Sequence, residues 1–207
     1  MSGGDWERVS AALAASGLVI LPSDTVYGLA CLASASGAVE RIYEIKKRQI
    51  DKPLALVFSR VESIGAMLPG LPEAIRAAVG KLLPGPVTAI VPFEDGAAGI
   101  RVHGGGSAGV RVIPPPAGDI YKLLPEPLAV TSANLSGKMD PVEVDEIPEA
   151  VTEACDFVVD AGRLQNRTPS TVIDLRLLAA GGPPVILRQG PMSAAEIQDR
   201  LGLSGCL

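Results

Sequence analysis

The amino-acid sequence predicts one α/β (α+β) domain in which a twisted, mixed β-sheet is flanked by helices. Short apolar runs that end at proline, glycine or polar residues alternate with segments whose apolar residues recur every three or four positions. Of the 207 residues, 47% are hydrophobic but only 3% are aromatic, so we expect an aliphatic core of buried strands with helices packed on them. Because no linker or repeat interrupts this pattern, we expect a single domain over residues 1–207.

The first half of the chain predicts helices and strands in mixed order. Asp5 is a candidate cap for a first helix that stops at Gly17, and Ser36 is a candidate cap for a second helix. The second helix carries cations in its last turn, where the macrodipole favours them. The other elements predicted here are strands at 18–21, 54–58 and 87–93, and helices near 61–68 and 72–83.

The second half contains a glycine-rich run between two similar segments, 99–102 and 109–112, which predicts a β-hairpin. The run 104–109 fits the G-x-G-x-x-G spacing of dinucleotide-binding loops, but a strand rather than a helix follows it, so we interpret it as a turn. The remaining predictions are helices at 120–124, 146–155 and 193–201, and strands at 127–131, 157–160, 171–174 and 185–188.

Composition argues against several functional classes. The net charge is −5 and the pI about 5.0, so we expect any RNA contact to be local or supplied by a partner. A single histidine, His103, argues against a multi-histidine metal site, and the widely spaced Cys31, Cys155 and Cys206 predict reduced thiols. Neither a membrane-spanning run nor a signal peptide is expected, which predicts a cytoplasmic protein.

Polar and cationic side chains lie at one end of nearly every predicted strand. Residues 22–29 supply Thr25 as a donor and Asp24 as an acceptor for an ammonium, although an ordinary turn explains this segment alone better. Four cations within residues 46–52 suit phosphate oxygens, although the helix macrodipole explains them about equally well. The other candidates are Thr88, Arg111, Ser132, Asn134, Ser170 and Arg188. Together they predict a binding site assembled at strand ends.

Seven sequence blocks, in a fixed order from about residue 10 to residue 191, resemble the Sua5/YrdC/YciO family. They read PSDTVYGL, KKR with DKPL, PGPVT, GVRV, TSANLSG, STVIDL and ILRQG. The best-known members are threonylcarbamoyl-AMP synthases. These enzymes join L-threonine, bicarbonate and ATP and release pyrophosphate, and a partner transferase then moves the threonylcarbamoyl group onto an adenosine of tRNA.

The resemblance implies a YrdC/RibB-like sheet with a concave, positively charged cavity. It implies catalytic roles for Lys46 and Arg48, and substrate contacts for Thr25, Thr88 and Arg111. It implies an ATP site formed by Arg48, Lys52, Ser132, Asn134, Ser170 and Arg188. Arg111 would face the carboxylate or carbamate. Mg²⁺ is expected with ATP, held mainly by the phosphates.

Three departures from the family pattern keep alternatives open. Gln49 stands where proline commonly follows the Lys-x-Arg pair, Val57 where some larger members carry histidine, and Pro114–Pro116 replace a proline-and-histidine ending. We also expect no counterpart of the second domain of the larger Sua5 proteins. The alternatives are an RNA-binding YciO-like paralogue without this activity and a carbamoyl-adenylate enzyme with another substrate. The intact Ser-Ala-Asn-x-Ser-Gly block favours the synthase.

Overall fold

A computed structural model describes residues 3–50, 52–100, 102–103, 105–123 and 127–203. The helices are α1 (Gly3–Ala14), α2 (Ser36–Lys46), α3 (Val61–Met67), α4 (Glu73–Leu82), α5 (Glu149–Thr152) and α6 (Ala194–Leu201). The strands are β1 (Val19–Leu21), β2 (Gly28–Leu32), β3 (Ala55–Phe58), β4 (Val87–Pro92), β5 (Ser107–Val112), β6 (Leu128–Ser132), β7 (Phe157–Val158), β8 (Thr171–Asp174) and β9 (Val185–Arg188). Short 3₁₀ turns cover Ala97–Gly99, Ala117–Asp119, Tyr121–Leu123, Val144–Glu146 and Arg176–Ala180.

The strands form one nine-stranded sheet in the order β7-β1-β2-β6-β3-β5-β4-β8-β9. The pairs β1/β7, β3/β5 and β4/β8 are parallel, and the other neighbours are antiparallel. The predicted mixed sheet flanked by helices is therefore confirmed. The bounds predicted for β8 and β9 are also confirmed.

The two faces of the sheet are covered differently. Alternate strand residues point to opposite faces. One face packs against apolar residues of α2 to α6, with Leu56 and Val110 in the central strands. On the opposite face, Val9 and Leu13 of α1 and the buried Tyr121 pack over a smaller cluster. Over the remainder of this second face, strand residues line a cavity, and none of the helices named above covers them.

The predicted hairpin between 99–102 and 109–112 is wrong. Strand β5 pairs with β4 on one side and β3 on the other, so neither of its edges is left for a hairpin partner. Ile100 follows a 3₁₀ turn and is buried in the core, while Arg101 lies outside the described residues. Strand β2 was not predicted, because its glycine, alanine and cysteine continue a segment that resembles a turn.

Several predicted helix ends are also corrected. Asp5 lies in the first turn of α1 rather than at its cap, and Ala35 precedes α2 where Ser36 was expected. The helix predicted over 146–155 is only the short α5, because Pro148 at its N-cap keeps the preceding backbone out of the helix. The helix predicted at 120–124 is a 3₁₀ turn over its described part.

The structure tests the predictions about thiols and membrane spans over the described residues only. Cys31 and Cys155 are free thiols, as predicted, whereas Cys206 lies outside the described part of the chain. Over the same residues, no helix combines the length and apolar character needed to traverse a bilayer. Gly104 of the glycine-rich run is likewise not described, but the run leads into β5, a strand, as the turn interpretation requires.

Leu56 provides a test of which face carries the core. It is fully buried on the helix-covered face of β3. We expect Leu56→Ala to lower the free energy of unfolding by about 3 kcal/mol, through lost burial and the cavity left behind. Leu187→Ala removes the same atoms from a residue that is 59% exposed, and should cost less than about 0.5 kcal/mol. Urea titration followed by circular dichroism measures both, and similar losses would contradict the assigned core.

Candidate active site

A cavity of about 300 Å³ opens on the face of the sheet that α1 leaves uncovered. Its wall is built from strand residues at every second position, which therefore point to the same side. They are Ala55 and Val57 in β3, Thr88 and Ile90 in β4, Gly109 and Arg111 in β5, and Val130 and Ser132 in β6. Together with Val172 of β8 and Arg188 of β9, six neighbouring strands, β6 to β9 in sheet order, contribute side chains to one concave surface.

Two glycines make room at this wall. A Cβ on Gly109 would lie 2.7 Å from Cγ2 of Thr88, and a Cβ on Gly28 would lie 2.9 Å from Cγ1 of Val130. Real Cβ atoms do not approach other atoms so closely, so a side chain at either position would displace its neighbour. Because neither residue has a side chain, the surface of the sheet is recessed at these two points and the cavity stays open.

The segment between β1 and β2 places Thr25 and Asp24 beside Arg111. Ser23 Oγ accepts hydrogen bonds from the backbone N–H groups of Thr25 and Val26, at 3.1 Å each, and fixes this turn. Arg111 Nη2 donates to Thr25 Oγ1 at 3.1 Å and forms an ion pair with Asp24 Oδ1. Burial raises the pKa of Asp24, and the charge of Arg111 opposes that rise.

A second polar network joins β4 and β9 through Ser170, the residue before β8. Nε and Nη2 of Arg188 donate to the backbone oxygen of Ser170 at 3.1 and 2.8 Å. The hydroxyls of Ser170 and Thr88 are 2.8 Å apart and hydrogen-bonded. Burial lowers the pKa of Arg188, whereas the charge of Asp140 opposes this shift. Thr88, Ser170 and Arg188 therefore deliver two hydroxyls and a guanidinium to the same region of the cavity.

Arg48 enters the cavity from the segment that follows α2. Lys47 ends this helix in the left-handed conformation, with φ of 50°, and so turns the chain toward the sheet. Arg48 Nε donates to the backbone oxygen of Lys52 at 2.8 Å, and Nη2 donates to that of Pro53 at 3.0 Å. These bonds hold the guanidinium against the segment leading into β3.

Lys46 is buried behind the loop that follows β6. The residue is 1% exposed, and its Nζ donates to Asn134 Oδ1 at 2.9 Å and to the backbone oxygens of Ser132 and Asn134. The backbone N–H of Ser136 donates in return to the backbone oxygen of Lys46 at 3.2 Å. Burial lowers the pKa of Lys46 to about 7; the nearby Arg48 also lowers it and Asp140 opposes. The helix and the loop are thus joined by both side-chain and backbone bonds.

The structure brings together most of the residues proposed from the sequence. Those that line the cavity are Thr25, Arg48, Thr88, Arg111, Ser132, Ser170 and Arg188. Lys46 and Asn134 instead form the buried link behind the loop, and the side chain of Lys52 is exposed outside the cavity wall. The roles that the resemblance implies for all of these residues stay predictions, as does the positive charge of the cavity.

Sequence reasoning missed two lining residues with chemical potential. Asp140 lines the cavity close enough to influence the charges of Lys46 and Arg188, and Tyr121 lines it while donating to the backbone oxygen of Pro22 at 3.2 Å. The position of Asp140 just after the loop over 131–137 was a usable signal. Tyr121 carried none, because only the tertiary fold brings its 3₁₀ turn over the sheet. Among the described residues, no three His, Cys, Asp or Glu side chains are grouped to hold a metal ion.

Comparison with known proteins decides the family. The model of the Sua5/yciO/yrdC family, described as "Telomere recombination", matches residues 11–190. The chain belongs to the Sua5/yciO/yrdC family. A family relative from Pyrococcus abyssi named threonylcarbamoyl-AMP synthase is 32% identical over 204 residues, which are 96% of this chain and 58% of the relative. The human protein of the same name is 33% identical over 205 residues, or 93% of this chain and 71% of that protein.

A solved structure of the same family supports the fold. The crystal structure of P. abyssi Sua5 complexed with L-threonine superposes with a TM-score of 0.83 at 30% identity. The match covers 96% of this chain but 58% of the Sua5 chain, so this chain spans less than two thirds of that relative. The family and the architecture expected from the seven blocks are therefore confirmed.

The lowered pKa of Lys46 has a measurable consequence for stability. In the folded protein Lys46 releases its proton near pH 7, whereas an unfolded lysine keeps it to about pH 10.4. The unfolded state therefore binds more protons over this range, and raising the pH relieves the cost of the buried ammonium. Between pH 7 and pH 9 we expect the parent protein to gain about 2 kcal/mol of unfolding free energy relative to Lys46→Met.

Urea titrations at the two pH values measure this difference. Lys52→Met is the matched control, because its side chain is exposed and the change removes the same group. It should follow the pH dependence of the parent. If Lys46→Met also follows the parent, burial does not destabilise the Lys46 ammonium.

Proposed function

We propose that this chain is a threonylcarbamoyl-AMP synthase, which forms L-threonylcarbamoyl-AMP and pyrophosphate from L-threonine, bicarbonate and ATP. The observation that carries the proposal is the arrangement of Arg48, Arg111 and Arg188 with hydroxyl groups around one cavity on the sheet. The names of the relatives from P. abyssi and human, and the L-threonine in the P. abyssi Sua5 structure, support the choice of reaction.

The two polar networks suit two different substrates. Arg48 and Arg188 can offset phosphate charge, and the hydroxyls of Thr88 and Ser170 can donate to phosphate or ribose oxygens. We assign this region to ATP. Arg111 with Thr25 can bind a carboxylate through charge-assisted and neutral hydrogen bonds, and we assign this region to L-threonine.

The reaction requires two bond-forming steps. The threonine amine combines with bicarbonate and loses water to give a carbamate. A carbamate oxygen then attacks the α-phosphorus of ATP, and the bond from that phosphorus to the bridging oxygen breaks as pyrophosphate leaves. Such a transfer depends on positioning and on stabilising the charge of the phosphates, rather than on a covalent nucleophile. In this proposal Arg48 and Arg188 stabilise that charge, and Lys46 holds the loop that presents Ser132.

Mg²⁺ is included in the proposal as the companion of ATP. Asp140 is the carboxylate among the described lining residues, and Mg²⁺ commonly takes one or two carboxylates and fills its other positions with phosphate oxygens and water. The residues present therefore fit a metal held chiefly by the nucleotide, with Asp140 as the protein ligand. Bound there, Mg²⁺ would neutralise phosphate charge.

The wider role follows from the reactivity of the product. An acyl adenylate is consumed by a transferase, and we propose that a tRNA threonylcarbamoyl transferase accepts this product. In this proposal, any contact of this chain with RNA is confined to a small part of its surface. We propose that residues 1–207 act as one domain, because the cavity residues, from Ser23 to Arg188, all belong to one sheet and its connections.

Threonine-dependent release of pyrophosphate tests this function. The purified protein is incubated with ATP, Mg²⁺, labelled bicarbonate and L-threonine, and we expect pyrophosphate and a labelled adenylate in equal amounts. Reactions without L-threonine serve as the control. ATP turnover that does not need L-threonine would indicate another carbamoyl acceptor. Salt-sensitive RNA binding without any turnover would favour the YciO-like alternative.

Arg48→Ala tests the phosphate assignment. We expect kcat/KM for ATP to fall at least about 100-fold, since a positioned cation at a transferring phosphate contributes several kcal/mol to the transition state. The matched control is Arg76→Ala, because Arg76 also donates to two backbone oxygens, those of Pro69 and Leu71, but lies outside the cavity wall. Steady-state kinetics and thermal melts compare the two. Loss of folding in Arg48→Ala with unchanged specific activity of the remaining folded protein would show that Arg48 has only a structural role.

A further inference from the structure

Tyr43 is a buried side chain of α2 for which the proposed reaction has no use, yet its hydroxyl contacts the segment that carries Arg48. The residue is 5% exposed, and the hydroxyl donates to the backbone oxygens of Lys52 and Val102, each at 3.1 Å. A hydroxyl has a single proton, so two acceptors at the same distance share it. The hydroxyl therefore links α2 to two separate segments, one that precedes β3 and one that precedes β5.

The backbone oxygen of Lys52 is the point at which Tyr43 and Arg48 meet. It accepts from the hydroxyl of Tyr43 and, at 2.8 Å, from Nε of Arg48. A carbonyl oxygen has two lone pairs, so these two donors can occupy both of them. Burial raises the pKa of Tyr43, whereas the charge of Arg48 and a side-chain hydrogen bond with Arg48 oppose that rise. The phenol and the guanidinium are thus neighbours as well as partners of one carbonyl.

The segment between α2 and β3 depends on such contacts, because its described residues form neither a helix nor a strand. The backbone N–H of Lys52 donates to the backbone oxygen of Gln49 at 3.1 Å, which closes a turn. The backbone N–H of Leu54 donates to the oxygen of Val102 at 3.3 Å, the same oxygen that Tyr43 holds. Removal of the phenolic hydroxyl would therefore take a donor from two carbonyls that position this segment.

The ring of Tyr43 is restricted from its other side by His103. The two rings meet edge to face, with centroids 5.1 Å apart and an interplanar angle of 89°. Nε2 of His103 is also hydrogen-bonded to Oε1 of Glu40 at 2.9 Å, and Glu40 lies three residues before Tyr43 on α2. These contacts confine the ring, so its hydroxyl is held at a defined place beside Lys52.

We propose that Tyr43 is a positioning residue, which fixes the Arg48 guanidinium at the cavity through the backbone oxygen of Lys52. The inference rests on the proposed function, in which Arg48 stabilises phosphate charge, and adds the group that holds this cation in place. A transferring phosphate is stabilised best by a charge that is already in position, so a displaced guanidinium loses part of its effect. Tyr43 touches no substrate in this proposal and acts on the reaction only through Arg48.

Tyr43→Phe removes the hydroxyl and keeps the ring, so the packing of the core is retained. We expect kcat/KM for ATP to fall about tenfold, less than in Arg48→Ala, because the guanidinium is displaced rather than removed. The KM for L-threonine should not change. In the Arg48→Ala background the same substitution should change kcat/KM for ATP by less than about twofold, since residues that act through one another are not additive. Steady-state kinetics of the parent, the two single variants and the double variant measures these effects.

Hydrogen exchange of the free protein, followed by NMR, tests the anchor without any turnover. We expect the amides of Lys52 and Leu54 to exchange at least about fivefold faster in Tyr43→Phe than in the parent, because their segment opens more often. The matched control is Tyr27→Phe, which removes the hydroxyl of another buried tyrosine, one that donates to the backbone oxygen of Gly162 at 2.8 Å. It should leave the exchange of Lys52 and Leu54 unchanged.

The possible results separate this proposal from the proposed function. Unchanged exchange of Lys52 and Leu54 in Tyr43→Phe, or a fall in kcat/KM by the same factor with and without Arg48, overturns the role of Tyr43. Faster exchange together with a kinetic loss that requires Arg48 confirms it. A parent protein that releases no pyrophosphate with L-threonine contradicts the synthase assignment, while the exchange measurement still decides whether Tyr43 holds the segment that carries Arg48.

Discussion

The alternation of side chains along the strands is the constraint on which the rest of the molecule depends. One face of the sheet is closed by α2 to α6, so every second strand residue must be apolar. The other face is covered by α1 and the turn at Tyr121 over only part of its width. In β3, Leu56 therefore belongs to the core while Val57 borders the cavity. The site is the part of the sheet that the fold does not need for its core.

The loop after β6 is held by an unusual anchor. A lysine is rarely fully buried, yet Lys46 is, and three oxygens of Ser132 and Asn134 surround its ammonium. A buried charge costs free energy that apolar packing would avoid, so we expect this contact to specify the loop geometry more than it adds stability. Arg48 lies two residues further on, which means that one helix end sets the positions of both the loop and a cavity cation.

The sequence was informative where a feature depends on local pattern. The bounds of β8 and β9 were predicted correctly, because each strand is a short apolar run bordered by proline, glycine or polar residues, a pattern that favours a strand. Most of the proposed site residues share the cavity, because strand ends converge on one surface. The predictions that failed concern contacts between residues that are far apart in the sequence. Pairing of β5 with β3 and β4 excluded the local hairpin, and the burial of Lys46 depends on Asn134, which is 88 positions away along the chain.

The effect of the charged residues also depends on where the fold places them. The chain has a net charge of −5, yet three arginines line one cavity. Net charge alone argues against phosphate binding, but the local field near a guanidinium depends on its immediate neighbours and not on distant surface carboxylates, which solvent ions screen within about 10 Å. Among the described contacts, Arg111 pairs with the carboxylate of Asp24, whereas Arg188 donates to the backbone oxygen of Ser170. The field at each guanidinium therefore depends on the groups that the fold places beside it.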